Sequence, residues 1–156
     1  MALKVGDKAP DFQLINQDGE TVSLSNYKGS NVVVLFFPAA NTGVCTKEMC
    51  TFRDDLRIFE KLNAQVLGIS VDMHYSLKMF QEKNNYNFPL LSDFNRKVIN
   101  DYDVVLDVFA PGKFDYQKVA KRAAFVVDKD GILKYTEVLS SPGDEPNYEA
   151  IKKVLS

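Results

Sequence analysis

The sequence predicts an α/β fold in which one central mixed β-sheet is flanked by helices, with a β-hairpin extension at the N-terminus. Three observations carry that reading. The continuous run Val32-Val33-Val34-Leu35-Phe36-Phe37 has the β-branched and aromatic content of a strand buried on both faces. An apolar stripe at helical spacing follows (Met49, Phe52, Leu56, Phe59), then a second β-rich run over residues 66–71. That strand–helix–strand order implies a parallel pair joined by a right-handed crossover. Late in the chain, runs 123–127 and 132–137 flank a turn at 128–131 and read as a hairpin.

The elements follow in order. Residues 12–14 and 21–24 are short strands joined by a turn at 16–20, which contains Asp18-Gly19. The buried run ends at Pro38, and 39–43 is a loop. In the helix that follows, Arg53, Asp54, Asp55 and Arg57 fall largely off the apolar stripe, and Asn63 suits its end. Residues 76–83, with Leu77, Met79 and Phe80, form a second helix, and 88–91 a short extended segment. Ser92 or Asp93 caps a short helix running to Tyr102. Residues 110–118, with Pro111-Gly112, read as an exposed connection, and a last helix spans about 147–155. This order matches a thioredoxin-like architecture with extra strands in front, although other α/β folds share pieces of it. With 156 residues the chain fits one domain, 1–156.

Composition narrows the function classes. The 19 basic residues are balanced by 21 acidic ones and form no run, which argues against a nucleic-acid partner. No apolar stretch approaches the ~18–20 residues of a membrane span. Residues 1–10 lack the apolar centre of a signal peptide and read as a mature start, so cytoplasm is the default expectation. Two cysteines, Cys45 and Cys50, and one histidine, His74, are too few for a disulfide scaffold or for a closed zinc site of Cys and His. Two thiols five positions apart then point to redox chemistry or to no chemistry at all.

The informative segment is Pro38-Ala39-Ala40-Asn41-Thr42-Gly43-Val44-Cys45, just past the C-terminal end of the buried strand. Open α/β sheets place ligands there. With Thr42 as N-cap, Cys45 is the third helical residue, near backbone N–H groups that lack helical partners. The positive end of the helix favours the thiolate. A helix terminus supplies only about 0.3–1 kcal/mol, whereas making the thiolate of a free cysteine the major form takes ~2 pKa units. A second positive group is therefore needed, and Arg122 at the entry of strand 123–127 is the candidate. Spacing alone favours a solvated strand-end charge for Arg122, and a small buried hydrophobe remains the bland reading of Cys45. Cys50 lies ~140° around the helix from Cys45 and ~8–9 Å away. A disulfide needs roughly 4.4–6.8 Å between Cα atoms. Pairing therefore requires the first turns to unwind; simple packing is an almost equal reading of Cys50.

Pro38-x-x-x-Thr42-x-x-Cys45 resembles the active-site motif of the peroxiredoxins, of the AhpC/TSA type. Arg122, with Phe125-Val126-Val127-Asp128 and Gly131 after it, resembles the family's distal arginine segment. Gly6-Asp7-Lys8-Ala9-Pro10-Asp11-Phe12 and Phe88-Pro89-Leu90-Leu91-Ser92-Asp93 extend the similarity over nearly the whole chain. The resemblance implies that Cys45 is oxidised by a peroxide to sulfenic acid. It implies that Thr42 hydrogen-bonds the sulfur and peroxide oxygens, and that Pro38 shields the pocket from water. Arg122 would stabilise the thiolate and polarise the O–O bond, and Glu48 would orient Arg122. Unaided, Glu48 reads as a first-turn glutamate favoured by the helix dipole.

The spacing of Cys50 is similar to the bacterioferritin-comigratory, or Q-type, members, where it resolves the sulfenic acid. Thr42-Gly43-Val44-Cys45 departs from the Thr-Pro-Gly-Cys usual there, while Phe36-Phe37-Pro38 and 88–93 look more like the E-type, often one-cysteine, enzymes. The implied substrates are hydrogen peroxide or an organic hydroperoxide, and the implied reductant is a thioredoxin-like protein or small thiol. No metal, haem or flavin is required. Monomer and homodimer both remain open. Two other classes stay on the table: a dithiol–disulfide oxidoreductase, which wants a tighter Cys-x-x-Cys, and a thioredoxin-like binding or chaperone module with structural cysteines. His74 as partner of a Cys45 hydrolase dyad lacks a glycine-framed nucleophile, and Asp128-x-Asp130-Gly131 fits a hairpin turn better than a calcium loop.

Overall fold

A computed structural model describes residues 2–156. Its strands are β1 Gln13–Asn16, β2 Thr21–Ser23, β3 Asn31–Phe36, β4 Ala64–Ser70, β5 Leu90–Ser92, β6 Val105–Phe109, β7 Tyr116–Ala120, β8 Ala123–Val127 and β9 Leu133–Val138. Its α-helices are α1 Gly43–Asp54, α2 Leu56–Lys61, α3 His74–Asn84, α4 Lys97–Asp101 and α5 Tyr148–Leu155. Seven strands form one mixed sheet in the order β2-β1-β5-β4-β3-β8-β9. β3 pairs in parallel with β4, β4 in parallel with β5, and β8 runs antiparallel to β3 and β9. The N-terminal hairpin is β1–β2, which joins the sheet antiparallel to β5. No helix of the described residues is long and apolar enough to cross a membrane.

β3 is apolar throughout because both of its faces are covered. Val32, Val34 and Phe36 join one core with Phe12, Leu67, Ile69, Tyr102 and Phe125. Val33, Leu35 and the following Phe37 join the other with Met49, Phe52, Phe80, Val126 and Ile151. Successive side chains of a strand point to opposite faces, so a central strand needs apolar residues at every position. The second core lies under α1, α2, α3 and α5 and carries the buried stripe of the first helix. β3 delivers the chain to that layer at Phe37, and α1 begins six residues later.

Three local expectations change. The helix after β3 is not continuous: it breaks at Asp55 and resumes as α2, with Asn63 left-handed (φ 54°) just after its end. The N-cap of α4 is Arg96 (φ 62°) rather than Ser92 or Asp93, although the Asp93 carboxylate accepts from Val98 N (3.1 Å) and Ile99 N (2.8 Å); the Ser92 hydroxyl donates to the Asp72 carbonyl (2.6 Å). Residues 110–118 are not a plain connection, since they include the start of β7, which pairs antiparallel with β6 in a separate ribbon. Both strands are largely exposed. Val105, Val119 and Ala120, at one end of the ribbon, meet the core; the mostly exposed remainder imposes little alternation on its sequence, so its signature is weak.

Candidate active site

The strand-to-helix junction holds Thr42, Cys45 and Glu48, and Arg122 reaches it from the sheet. Thr42 is the N-cap of α1 in backbone conformation, but its side chain caps nothing. Its hydroxyl donates to the Ala39 carbonyl (2.8 Å) and closes the loop onto itself. That loop is fixed from β4's end as well: the Asp72 carboxylate accepts from Ala40 N (2.9 Å) and from the Ser70 hydroxyl (2.6 Å). Pro38 is buried at the loop's start.

Cys45 is fully buried on the first turn of α1, and Glu48 lies one turn on, on the same face and equally buried. Arg122, 2% exposed, precedes β8, which pairs with β3 so that Ala123 lies opposite Phe36. That register sets the guanidinium beside the helix start. Nη2 donates to Cys45 Sγ at 3.1 Å and Nη1 to Glu48 Oε1 at 2.9 Å. The spacing-based reading of Arg122 as a solvated strand-end charge does not hold.

The remaining donors of Arg122 are held by a residue that sequence reasoning missed. Nη2 (2.9 Å) and Nε (3.3 Å) donate to the Pro142 carbonyl. The loop bearing Pro142 is tied back to α1 by Lys47–Glu145 (3.0 Å), and the Tyr148 hydroxyl donates to the same Glu145 carboxylate (2.7 Å). A backbone carbonyl leaves no side-chain signature; the one available hint was a Pro-Gly turn after the last strand.

Burial pushes the Glu48 carboxyl up to about 8, against the pull of Arg122. Among the described residues its Oε2 is buried without a partner, so that oxygen is where uncompensated negative charge would sit. Arg122 stays charged, held so by Cys45 and Glu48 against its own burial. Thr42, Val44, Phe109, Arg122 and Pro142 border a cavity of about 230 Å³; Cys45 is not in its lining, but Arg122, which is, donates to the Cys45 sulfur. Phe109, from the β6–β7 ribbon, forms part of its apolar wall.

Residues 5–136 match the AhpC/TSA family. The chain belongs to that family. It is similar to a chloroplastic peroxiredoxin Q of rice, Oryza sativa subsp. japonica, with 44% identity over 132 residues, 83% of this chain and 57% of the rice protein. The chain thus spans a little over half the length of the plant relatives it matches. A putative peroxiredoxin of Mycobacterium tuberculosis is 44% identical over 129 residues, covering 83% of this chain and 81% of that one. Among solved structures, peroxidoxin BcpB from Mycobacterium tuberculosis superposes with a TM-score of 0.82 at 32% identity, over 98% of this chain and 94% of that one. The AhpC/TSA resemblance and the thioredoxin-like sheet read from the sequence both hold.

Two sequence features fall elsewhere. His74 lines a separate surface cavity with Gln13, Met73 and Phe94, which does not include Cys45. Asp128 closes the β8–β9 turn, its Oδ1 accepting from Asp130 N and Ile132 N. Cys45 and Cys50 are both free thiols within the unbroken α1.

Proposed function

We propose that the chain is a thiol peroxidase whose nucleophile is Cys45. The observation that carries this reading is the 3.1 Å contact between Arg122 Nη2 and Cys45 Sγ at a helix start, inside an AhpC/TSA chain. A guanidinium aimed at a buried sulfur stabilises the thiolate and can follow charge as it moves onto oxygen. The sulfur attacks the terminal oxygen of ROOH. The S–O bond forms as the O–O bond breaks, and the departing alkoxide takes a proton and leaves as ROH, or as water when the substrate is hydrogen peroxide. The sulfur is left as sulfenic acid.

The Thr42 proton is committed to Ala39 O, so the hydroxyl oxygen offers lone pairs and accepts from the peroxide O–H. Glu48 fixes the guanidinium plane through Nη1, and the Pro142 carbonyl holds its other edge. Buried Pro38 keeps water from the loop's inner side. Val44, Phe109 and Pro142 give the entrance an apolar rim suited to alkyl hydroperoxides as well as hydrogen peroxide.

Cys50 then resolves the sulfenic acid, with water as the second product, and a thioredoxin-type dithiol reduces the disulfide. The resemblance of the Cys45–Cys50 spacing to that of the Q-type members supports this step, and α1 must unwind for it. The test is peroxide consumption with a thiol reductant, beside intact mass after one equivalent of peroxide. Cys45→Ser abolishes consumption, and the wild type loses two hydrogens while Cys50→Ser gains oxygen. Consumption that survives Cys45→Ser rejects the peroxidase assignment.

A further inference from the structure

Cys50 sits against an aromatic wall that the peroxide step does not use. Its sulfur lies 3.6 Å from the Tyr86 hydroxyl, which also donates to the Thr46 carbonyl at 3.3 Å. Both partners belong to α1, whereas Tyr86 lies between α3 and β5. Its ring is 2% exposed, stacked on Phe88 (centroids 5.6 Å apart) and edge-on to Phe80 (5.0 Å). The hydroxyl is therefore an anchor in fixed wall, and it cannot follow the helix when the helix moves.

We propose that Tyr86 is a positioning residue for the resolving step: its hydroxyl ties Cys50 and the Thr46 carbonyl to the wall and holds α1 wound until Cys50 leaves for Cys45. The inference rests on the reading of Cys50 as the resolving thiol. Burial keeps the phenol protonated at working pH, so it is a lasting donor. A hydroxyl has one proton. With that proton on the Thr46 carbonyl, the Cys50 thiol donates to the phenol oxygen.

The step itself balances as sulfenic acid plus thiol giving disulfide plus water. The Cys50 sulfur attacks the Cys45 sulfur, the S–O bond breaks, and the departing hydroxide takes up the Cys50 proton. Cys50 cannot reach Cys45 without leaving the phenol, since the helical separation of ~8–9 Å exceeds disulfide reach. Each contact to Tyr86 thus opposes unwinding and lengthens the life of the sulfenic acid, during which a second peroxide can carry it on to sulfinic acid.

The test is Tyr86→Phe, which removes the hydroxyl and keeps the ring. The rate of Cys45 oxidation in a single turnover stays within twofold of wild type. Disulfide formation becomes about two- to tenfold faster, the Boltzmann equivalent of one net hydrogen bond. The peroxide concentration giving half sulfinic acid rises by a similar factor. Amide exchange at Cys50 quickens while exchange in β3 does not, which separates a local tie from a general loss of stability. Disulfide formation and sulfinic partition equal to wild type, or slower disulfide formation, would overturn the inference and leave Cys50 as resolver. A wild type that never forms the disulfide overturns the resolving role itself, and this inference with it.

Discussion

Arg122 Nη2 lies 3.1 Å from Cys45 Sγ across 77 residues of sequence, and the same guanidinium holds Glu48 and the Pro142 carbonyl. One planar fork thus connects the first helix, the entry of β8 and the loop after β9. Its position follows from the β3–β8 pairing, which sets the residue before Ala123 at the level of the strand end from which α1 departs.

Replacing Arg122 tests geometry against charge. Lysine keeps the charge but has no fork with which to serve three partners. Arg122→Lys should lower the second-order rate of Cys45 oxidation by about 10²-fold, the scale of losing one oriented donor to a developing charge. Stopped-flow oxidation under excess peroxide measures it. A variant within threefold of wild type would show that charge alone suffices.

Glu48 sets a pH dependence of stability. Its folded value of about 8 lies above the ordinary 4.5, so the folded state keeps a proton that the unfolded chain loses. Its contribution is then fully present below about 4.5, falls as pH rises and is lost through about 8. The expected loss across that window is on the order of a few kcal/mol. Glu48→Gln should flatten this part of the curve, as read from urea midpoints at a series of pH values. An unchanged slope would mean that Arg122 holds Glu48 ionised throughout.

Asp72 holds the loop before α1 through its hydrogen bond from Ala40 N. Asp72→Ala should leave the fold intact and slow Cys45 oxidation roughly tenfold, since small misplacements of a reacting group are amplified in rate. Circular dichroism and single-turnover oxidation check the two halves. Oxidation at the wild-type rate would show that the Thr42–Ala39 bond positions the loop alone.

Gly68 lies in the middle of β4, under α1. A Cβ there would come within 2.9 Å of Leu90 Cδ2 and 3.4 Å of both Met49 Sδ and Phe37 Cε1. Gly68→Ala should destabilise by about 1–3 kcal/mol through overpacking. Chemical denaturation measures it; a neutral result would mean that Leu90 turns aside freely.

Much of this chain could be read before folding. The all-apolar run 32–37 declared a central strand, because burial on both faces forbids a polar position anywhere along it. Met49, Phe52 and Phe59 declared the helix layer, and Asp128–Gly131 the late hairpin. The spacing of Thr42 and Cys45 placed a thiol at a helix start. The break at Asp55 was not legible, since the apolar stripe runs on through Leu56 and Phe59 into α2. Nor was the β6–β7 ribbon, whose mostly exposed faces carry little alternation.

By itself, then, the sequence determined the layers, the parallel strand pair and the position of a thiol at a helix start, all of which are encoded in local periodicity and turn chemistry. The sequence offered Arg122 as the candidate charge, and only the tertiary structure decided that it meets the sulfur. Spacing left Arg122 as a solvated strand-end residue, and strand pairing carried it into a buried site beside Cys45 and Glu48. The same holds for Pro142 and Tyr86, a backbone carbonyl and a core aromatic 97 and 41 residues from Cys45 in the chain. Such contacts arise from register and packing across the sheet, and no local pattern in the chain records them.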